Sequence, residues 1–252
     1  MGKVIAVANH KGGVGKTTSV ACLGQALARK GQRVLLVDLD AQANLTCFFV
    51  KEDQIDSSIY EAMTGTAALP ILNIKEGLYL CPSSLELARA EVDLSTRIAR
   101  ERILLNLIEP VSKDYDYILL DCPPSLGIIT TNALVAASEI LIPLTAEALP
   151  LKGLKMLEDI VSEIQRSVNS KLKIGGVLIT RYNNRKLNKI VLEAISEKYK
   201  DKVFKTKIRE NILIAEVPIA GGDIFDYAPT SNGATDYKAL AEEILDRDNN
   251  RN

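Results

Sequence analysis

A glycine-rich segment close to the amino terminus constrains the fold of this chain more than any other sequence feature. The segment reads Asn9-His10-Lys11-Gly12-Gly13-Val14-Gly15-Lys16-Thr17-Thr18. It joins an apolar run, Val4–Ala8, to a stretch with helical periodicity, Lys16–Lys30. Glycines let successive backbone N–H groups point at one anion, and the helix start adds the positive end of its dipole. A strand, a glycine loop and a helix in this order predict a phosphate-binding loop, with a plain glycine-rich turn as the weaker interpretation.

Apolar runs and helical patterns alternate along the rest of the chain. The predicted strands are Val4–Ala8, Arg33–Asp38, Leu78–Cys81, Tyr117–Asp121, Ile140–Leu144, Ile174–Thr180 and Val203–Thr206. The predicted helices are Lys16–Lys30, Leu85–Ala90, Thr96–Val111, Ile129–Ala137, Leu151–Val168, Leu187–Tyr199 and Asp236–Leu245. Strands that are apolar throughout indicate a sheet covered on both faces. We therefore predict an α/β fold: one doubly wound, mostly parallel sheet with helices on both faces, in a single domain over residues 1–252.

The composition excludes several protein classes. Of the 252 residues, 47% are hydrophobic and 25% are charged, which is typical of a folded globular protein. No apolar run approaches the roughly 18 residues that a membrane helix needs. The first residues, MGKVIAVAN, lack the long apolar stretch of a signal peptide. The four cysteines are scattered without a CxxC pair, which favours reduced thiols and a cytoplasmic location.

The net charge of −1 conceals an uneven distribution of charge. The segment from Lys171 to Glu210 holds 12 Lys or Arg and 4 Asp or Glu, so its charge is +8 and the rest of the chain carries −9. Such asymmetry indicates either a surface that binds a polyanion or a solvated helix face, and the charge count alone does not separate the two.

The glycine loop departs from the common phosphate-binding pattern G-x-x-x-x-G-K-[ST]. His10 stands where that pattern has its first glycine, and Lys11 adds a second lysine. In this form the segment resembles the K-G-G-x-G-K-[ST]-T loop of the ParA/MinD superfamily of ATPases. Lys16 would place its cation on the outer phosphates, and the Thr17 hydroxyl would bind Mg²⁺. His10 precedes the loop without an acidic partner nearby in sequence, which argues against a general base.

Two further motifs follow predicted strands, at the strand ends where α/β sheets bind ligands. The segment DLDAQ at 38–42 resembles the D-x-D-[PA]-Q motif of the same superfamily. If the chain stays extended, Asp38 and Asp40 point to the same side; a helix cap followed by a turn is the alternative. The apolar strand that ends in Asp121 is followed by Cys-Pro-Pro and resembles the D-x-P-P Walker B motif, in which the aspartate holds Mg²⁺.

The resemblance covers essentially the whole chain and is closest to the short Soj-like ParA proteins of chromosome and plasmid partition. It implies that ATP or ADP and Mg²⁺ are the ligands. The nucleotide contacts that it implies are Lys11, Gly12, Gly13, Val14, Gly15, Lys16, Thr17, Thr18, Arg181 and Pro218. It also implies that Thr17 and Asp121 bind the metal and that Asp38 supports the metal shell.

The same resemblance implies a mechanism. Lys16 and the loop amides would stabilise the γ-phosphate, and Asp40 would place the attacking water. Lys11 would reach the nucleotide of a second subunit, so that ATP holds a sandwich dimer together and hydrolysis releases it. Turnover would be slow and raised by a centromere-binding, ParB-type partner. Longer ParA proteins carry an N-terminal helix-turn-helix domain, which this chain is not expected to have. A guanine motif, N-K-x-D, fails at Val191, which favours ATP over GTP.

Soj-like proteins bind duplex DNA without sequence preference through basic residues late in the chain, where this chain has its basic segment. The predicted DNA contacts are Arg185, Lys186, Lys189, Lys205, Lys207 and Arg209. Phosphate contacts of this kind give salt-sensitive binding, so the ATP-bound protein is expected on the nucleoid. Two features depart from the family. Glu210 stands where relatives have an arginine before Asn211, and the segment Tyr227–Ala234 lacks the basic residues of relatives.

Three other functions are compatible with parts of this pattern. A MinD-like positioning ATPase on a membrane or protein scaffold needs a basic amphipathic tail, whereas residues 241–248 are acidic, so no membrane partner is expected. An iron–sulfur protein needs cysteines at a dimer interface, and Cys122 is not at the expected place. A scaffold that binds nucleotide without hydrolysis is disfavoured by the intact Lys16, Asp40 and Asp121.

Overall fold

An eight-stranded sheet organises the computed structural model of this chain, which describes residues 2–146, 151–183, 185–218 and 222–250. The strands are β1 Lys3–Val7, β2 Val34–Asp38, β3 Leu72–Lys75, β4 Leu78–Cys81, β5 Tyr117–Asp121, β6 Glu139–Thr145, β7 Lys173–Tyr182 and β8 Val203–Arg209. Their order across the sheet is β3-β4-β2-β5-β1-β6-β7-β8. Neighbouring strands are parallel except β3 and β4, which form an antiparallel pair at one edge.

Helices cover both faces of this sheet. The α-helices are α1 Lys16–Ala28, α2 Asn44–Phe49, α3 Ile59–Thr64, α4 Ala90–Asp93, α5 Ile103–Ile108, α6 Ile128–Ala136, α7 Leu151–Ser167, α8 Lys186–Tyr199, α9 Leu213–Glu216, α10 Ile224–Tyr227 and α11 Asn232–Asn249. Helices α1, α2, α10 and α11 contribute to the core on one face, and α3 to α8 contribute to the core on the other. None of the described helices combines the length and the apolar character that crossing a membrane requires.

Alternate residues of each central strand supply the two cores. In β1, Val4 and Ala6 lie in the core beneath α3 to α8, and Ile5 and Val7 lie in the core beneath α1 and α11. Because side chains of a strand point alternately to the two faces, a strand that is apolar throughout must be covered on both. The predicted fold class, a doubly wound and mostly parallel α/β sheet, is confirmed.

Two predicted helices differ from the structure. Thr96–Val111, predicted as one helix, contains a 3₁₀ turn at Arg100–Arg102 followed only by the short α5. Ala99 has a φ of 52° immediately before that turn, and this left-handed conformation interrupts a right-handed helix. Leu85–Ala90 is a 3₁₀ segment, Leu85–Arg89, that leads into α4. Strand β3 is not among the predicted strands, because its four residues are too few to establish the polar–apolar alternation that indicates a strand.

The strand order brings the three sequence motifs to one edge of the sheet. Strand β5 lies between β1 and β2, and Asp121 is in register with Val7 on one side and with Asp38 on the other. The glycine loop leaves the end of β1, and the second motif leaves the end of β2. Ligands of open α/β sheets bind outside these carboxyl ends of the strands. The fold therefore gathers the motifs around one crevice.

Candidate nucleotide site

Two polar side chains, Asn9 and Thr180, anchor the glycine loop. Neither belongs to the residues for which the sequence predicts a role in nucleotide binding. Asn9 Nδ2 donates to the carbonyl oxygen of Pro143 at 2.7 Å, and Asn9 Oδ1 accepts from the backbone N of Lys11 at 2.9 Å. The Thr180 hydroxyl donates to the carbonyl oxygen of Val14 at 2.8 Å. These bonds tie the loop to β6 and β7, so its shape is set by the sheet as well as by its glycines.

Glycine is required at two positions of the loop. Gly13 and Gly15 have φ values of 72° and 84°, in the left-handed region that glycine adopts without strain. Helix α1 then begins at Lys16, whose side chain is buried and whose Nζ donates to the carbonyl oxygen of Lys11 at 3.4 Å. Burial lowers the pKa of Lys16, and the nearby Asp121 opposes that shift. The loop thus surrounds a sequestered lysine, as phosphate binding requires.

Asp121 is a buried carboxylate without a hydrogen bond. Its side chain is fully buried, and neither oxygen has a hydrogen-bond partner among the described residues. Burial raises the pKa of Asp121 well above its usual value, and the neighbouring Asp38 raises it further. Thr17 and Lys16 lower this pKa, although the Thr17 hydroxyl does not reach normal hydrogen-bond geometry. A buried, unpaired carboxylate is stabilised by a cation, so the residues here fit Mg²⁺.

The two aspartates of the second motif have different surroundings. Asp38 is buried, and its Oδ2 accepts from the backbone N and the hydroxyl of Thr46 at 2.8 and 2.7 Å. Burial raises the pKa of Asp38 to about 6 against these hydrogen bonds. Asp40 is partly exposed, and its Oδ1 accepts from the backbone N of Gln42 at 3.0 Å. Strand β2 ends at Asp38, the backbone N of Leu39 still donates to the carbonyl oxygen of Asp121 at 3.0 Å, and the turn begins at Ala41.

A cavity of about 1010 Å³ is lined by the glycine loop and by Asp40. Its phosphate-loop end is lined by Gly12, Gly13, Gly15, Lys16, Thr17, Thr18 and Asp40. The wall beyond includes Thr180, Arg181, Arg209, Glu210, Asn211, Ile212, Ile214 and Pro218. Lys11 is exposed at the loop surface, and Val14 is buried beneath the loop. The structure therefore places Arg181 and Pro218 in the same cavity as the phosphate loop, and the volume suits a nucleotide.

The basic residues that were predicted to bind DNA separate into two locations. Five lie on the α8 side of the sheet, namely Arg185, Lys186, Lys189, Lys205 and Lys207. The two lysines of β8 alternate with Phe204 and Ile208, which are buried on the opposite face. Arg209 is different, because it lines the cavity and pairs with Asp236 at 2.6 Å. Its charge is compensated there, so the DNA-binding surface proposed for this chain omits Arg209.

Comparisons with known proteins identify the family. Residues 2–174 match a protein family described as an AAA domain. The chain is 41% identical to the sporulation initiation inhibitor protein Soj of Bacillus subtilis, over 97% of this chain and 98% of that protein. It is 39% identical to the chromosome-partitioning ATPase Soj of Treponema pallidum, over 100% of both. The chain belongs to the Soj/ParA family. The resemblance carried by the three motifs is thereby confirmed.

Solved structures similar to this Soj/ParA-family chain contain nucleotide. Cobyrinic acid a,c-diamide synthase from Mycobacterium smegmatis, with bound ADP and magnesium, is 34% identical, with a TM-score of 0.85 over 97% of this chain and 94% of that one. A plasmid partition protein from Borrelia burgdorferi, bound to AMPPNP, is 28% identical, with a TM-score of 0.84 over 98% and 100%. The Soj/ParA fold of this chain is therefore shared by nucleotide-bound proteins over nearly its full length.

Several residues that hold the site together lie outside the three Soj/ParA motifs, so the motifs do not identify them. Thr46 accepts from the backbone N of Ser83 at 2.8 Å while its own hydroxyl donates to Asp38, which links three parts of the chain. The Ser19 and Tyr237 hydroxyls are 3.1 Å apart and join α1 to α11. In the sequence, such a contact is indicated only by a polar residue within an otherwise apolar helical face. That residue does not reveal its hydrogen-bonding partner.

Proposed function

We propose that this chain is an ATP-dependent, dimerising ATPase switch that partitions DNA, either a plasmid, a chromosome or a mobile element. The observation that carries the proposal is the buried Asp121 carboxylate, which has no hydrogen bond and lies close to Lys16 and Thr17, two residues that line the phosphate-loop end of a nucleotide-sized cavity. The chromosome-partitioning relatives support the biological role. The chain would act in the cytoplasm as one ATPase domain and would associate with the nucleoid when ATP is bound.

Mg²⁺ and ATP fit this site through the chemistry of its side chains. Thr17 and Asp121 would hold the metal, and Asp38 would support it from beneath. Within the described ranges, no group of three or more His, Cys, Asp or Glu side chains could hold a metal by itself. Mg²⁺ binds through few protein ligands, because it keeps water and phosphate oxygens among its ligands. When bound, the metal neutralises negative charge on the phosphates, which is its main contribution to phosphoryl transfer.

Hydrolysis requires positioning and electrostatic stabilisation more than covalent chemistry. Lys16 and the backbone N–H groups at the start of α1 would hold the γ-phosphate. Asp40, which lines the cavity, would orient the attacking water. Lys11 is exposed on the loop and would reach the nucleotide of a second subunit, where its charge adds to the stabilisation. ATP would therefore be shared by two copies of the chain, and its hydrolysis would separate them.

Gly12→Val should block ATP-dependent dimerisation while leaving ATP binding by the monomer nearly unchanged. A Cβ at Gly12 meets no heavy atom within 4 Å, so the added side chain fits the monomer, and in the proposed dimer it would obstruct the approach of the second subunit. Gly13→Val is the contrast variant, because its φ of 72° strains the loop itself and should also weaken ATP binding. Sedimentation with ATP, together with calorimetry, separates the two effects. A Gly12→Val protein that dimerises like the parent would refute the sandwich arrangement.

The DNA-binding surface is proposed from the charge at the start of α8. Arg185 is the residue that precedes this helix, Lys186 and Lys189 lie in its first turn, and that turn contains no acidic residue. The helix dipole disfavours cations at this end, so helix stability does not explain them, whereas a bound polyanion does. Lys205 and Lys207 add charge on the same side of the sheet. The set would bind DNA phosphates without reading sequence.

Arg185→Ala should weaken binding to all duplex sequences alike and should flatten the dependence on salt. Each lost phosphate contact lowers the slope of log K against log salt by roughly one, so a dimer should lose about two. Lys198→Ala is the matched control: Lys198 lies on the same helix, but it pairs with Glu158 at 2.8 Å. The measurement is a salt titration on random-sequence duplex with hydrolysis blocked. Equal binding by Arg185→Ala and the parent would remove Arg185 from this surface.

The proposed function is tested as a whole by measuring phosphate release under four conditions. The protein is assayed alone, with duplex DNA, with its centromere-binding partner, and with both, each time with Mg²⁺ and ATP. We expect slow release alone and the fastest release when DNA and partner are both present. An absence of phosphate release in all four conditions would favour a nucleotide-binding scaffold. Release that neither DNA nor partner changes would contradict the partition role.

A further inference from the structure

Asp236 holds Arg209 in one orientation at the wall of the nucleotide cavity. Asp236 Oδ1 accepts from Nη2 of Arg209 at 2.6 Å, and both carboxylate oxygens lie within 3.1 Å of its Nε. Asp236 Oδ2 also accepts from the backbone N of Arg209 at 2.9 Å. The side chain of Asp236 is 10% exposed and that of Arg209 is 45% exposed. The carboxylate therefore lies behind the guanidinium and binds one of its edges, which fixes the guanidinium plane.

The same part of the wall combines exposed apolar side chains with two arginines whose charges are compensated by carboxylates. Arg181 pairs with Glu210 at 3.5 Å, as Arg209 pairs with Asp236, so neither arginine presents an uncompensated charge to a phosphate. Ile212 is 77% exposed and lines the cavity together with Pro218. Exposed apolar surface beside a flat guanidinium suits an uncharged aromatic ring, because guanidinium planes stack on aromatic faces. The chemistry here matches a nucleobase, in contrast to the cationic phosphate loop.

We propose that Asp236 is a positioning residue for the nucleobase and that it fixes Arg209 as the flat wall against which the base lies. The inference rests on the proposed nucleotide binding and deepens it by naming a base contact. It also connects α11 to the nucleotide cavity, because Tyr237, the residue after Asp236, lines the cavity and its hydroxyl lies 3.1 Å from the Ser19 hydroxyl of α1. Arg209 thus serves the nucleotide instead of DNA.

The test compares ATP with inorganic tripolyphosphate, which has the phosphates without the base. Calorimetry with Mg²⁺ should show that Asp236→Asn lowers the affinity for ATP about tenfold, because hydrogen bonds to a charged group are lost, and leaves the affinity for tripolyphosphate unchanged. Arg209→Lys should have the same effect, since lysine keeps the charge but lacks the plane. A role in charge alone would be rescued by Arg209→Lys, and a general structural role would lower both affinities.

Glu243→Gln provides the matched control. Glu243 also lies on α11 and accepts from the backbone N of Lys205 and of Thr206 at 2.9 Å each, so it ties the helix to β8 without lining the cavity. In this variant, the ratio of the affinity for ATP to the affinity for tripolyphosphate should be the same as in the parent protein. Equal losses for ATP and tripolyphosphate in Asp236→Asn, or parent ATP affinity in Arg209→Lys, would overturn the inference. A parent protein that binds neither ligand would instead overturn the proposed nucleotide binding.

Discussion

Lys16→Ala should reduce the affinity for ATP by about a hundredfold or more. Hydrogen bonds to charged groups contribute about 1.5–3 kcal/mol each, and 1.4 kcal/mol corresponds to a factor of ten. Lys16 is buried at the base of the glycine loop close to Asp121, and in the proposed site its cation would bind the outer phosphates. Calorimetry with ATP and Mg²⁺ measures the effect directly, and circular dichroism confirms that the variant is folded.

Lys11→Ala is the matched control for this experiment because it removes the other lysine of the same loop. Lys11 is exposed, and only its backbone contributes to the anchoring of the loop. Its loss should leave ATP binding by one subunit nearly unchanged and should reduce dimerisation and hydrolysis. If Lys16→Ala bound ATP as tightly as Lys11→Ala, the assignment of this segment as a phosphate-binding loop would be wrong.

Asp40→Ala should bind ATP like the parent and lose hydrolysis by about a hundredfold or more, the scale on which a positioned proton acceptor contributes. Asp40 lines the cavity, and its carboxylate is not enclosed by protein hydrogen bonds as that of Asp38 is. These features support the proposed role of Asp40 in orienting the attacking water, and its substitution should leave the fold intact. Phosphate release with saturating ATP, DNA and partner measures the loss.

Asp56→Ala is a suitable control, because Asp56 is an exposed aspartate further along the same connection between β2 and β3 and does not line the cavity. It should release phosphate at the parent rate. If Asp40→Ala hydrolysed ATP at the parent rate, a group other than Asp40 would have to orient the attacking water. A loss of ATP affinity in step with the loss of hydrolysis would show that Asp40 binds the nucleotide.

The first and last residues of several strands were predictable from the sequence. A short apolar run between turn residues leaves little choice for where the strand begins and ends. Residues 78–81 and 117–121 are strands over the range that the sequence predicts. Helix α11 is longer than its predicted range, 236–245. The Ser231 side chain accepts from the backbone N of Ala234 and starts the helix earlier, within a stretch whose polar residues gave no helical signal.

The phosphate end of the site was predictable because its function depends on neighbours in sequence. Glycines, a lysine and a hydroxyl within one loop determine that chemistry locally. The other end depends on contacts between distant segments. Thr180 reaches Val14 across 166 positions, and Asp236 reaches Arg209 across 27. Arg209 was predicted to bind DNA from the basic segment and from the resemblance to Soj-like proteins, whereas in the structure it pairs with Asp236, a partner that no local pattern identifies.

The most direct test of the ATP switch is the sedimentation coefficient of Asp40→Ala, measured with ATP, with ADP and without nucleotide, each time with Mg²⁺. Blocking hydrolysis keeps the ATP state constant during the run, so the association state reports nucleotide identity alone. We expect a dimer with ATP and a monomer with ADP or without nucleotide. A monomer in all three conditions, or a dimer in all three, would contradict the switch.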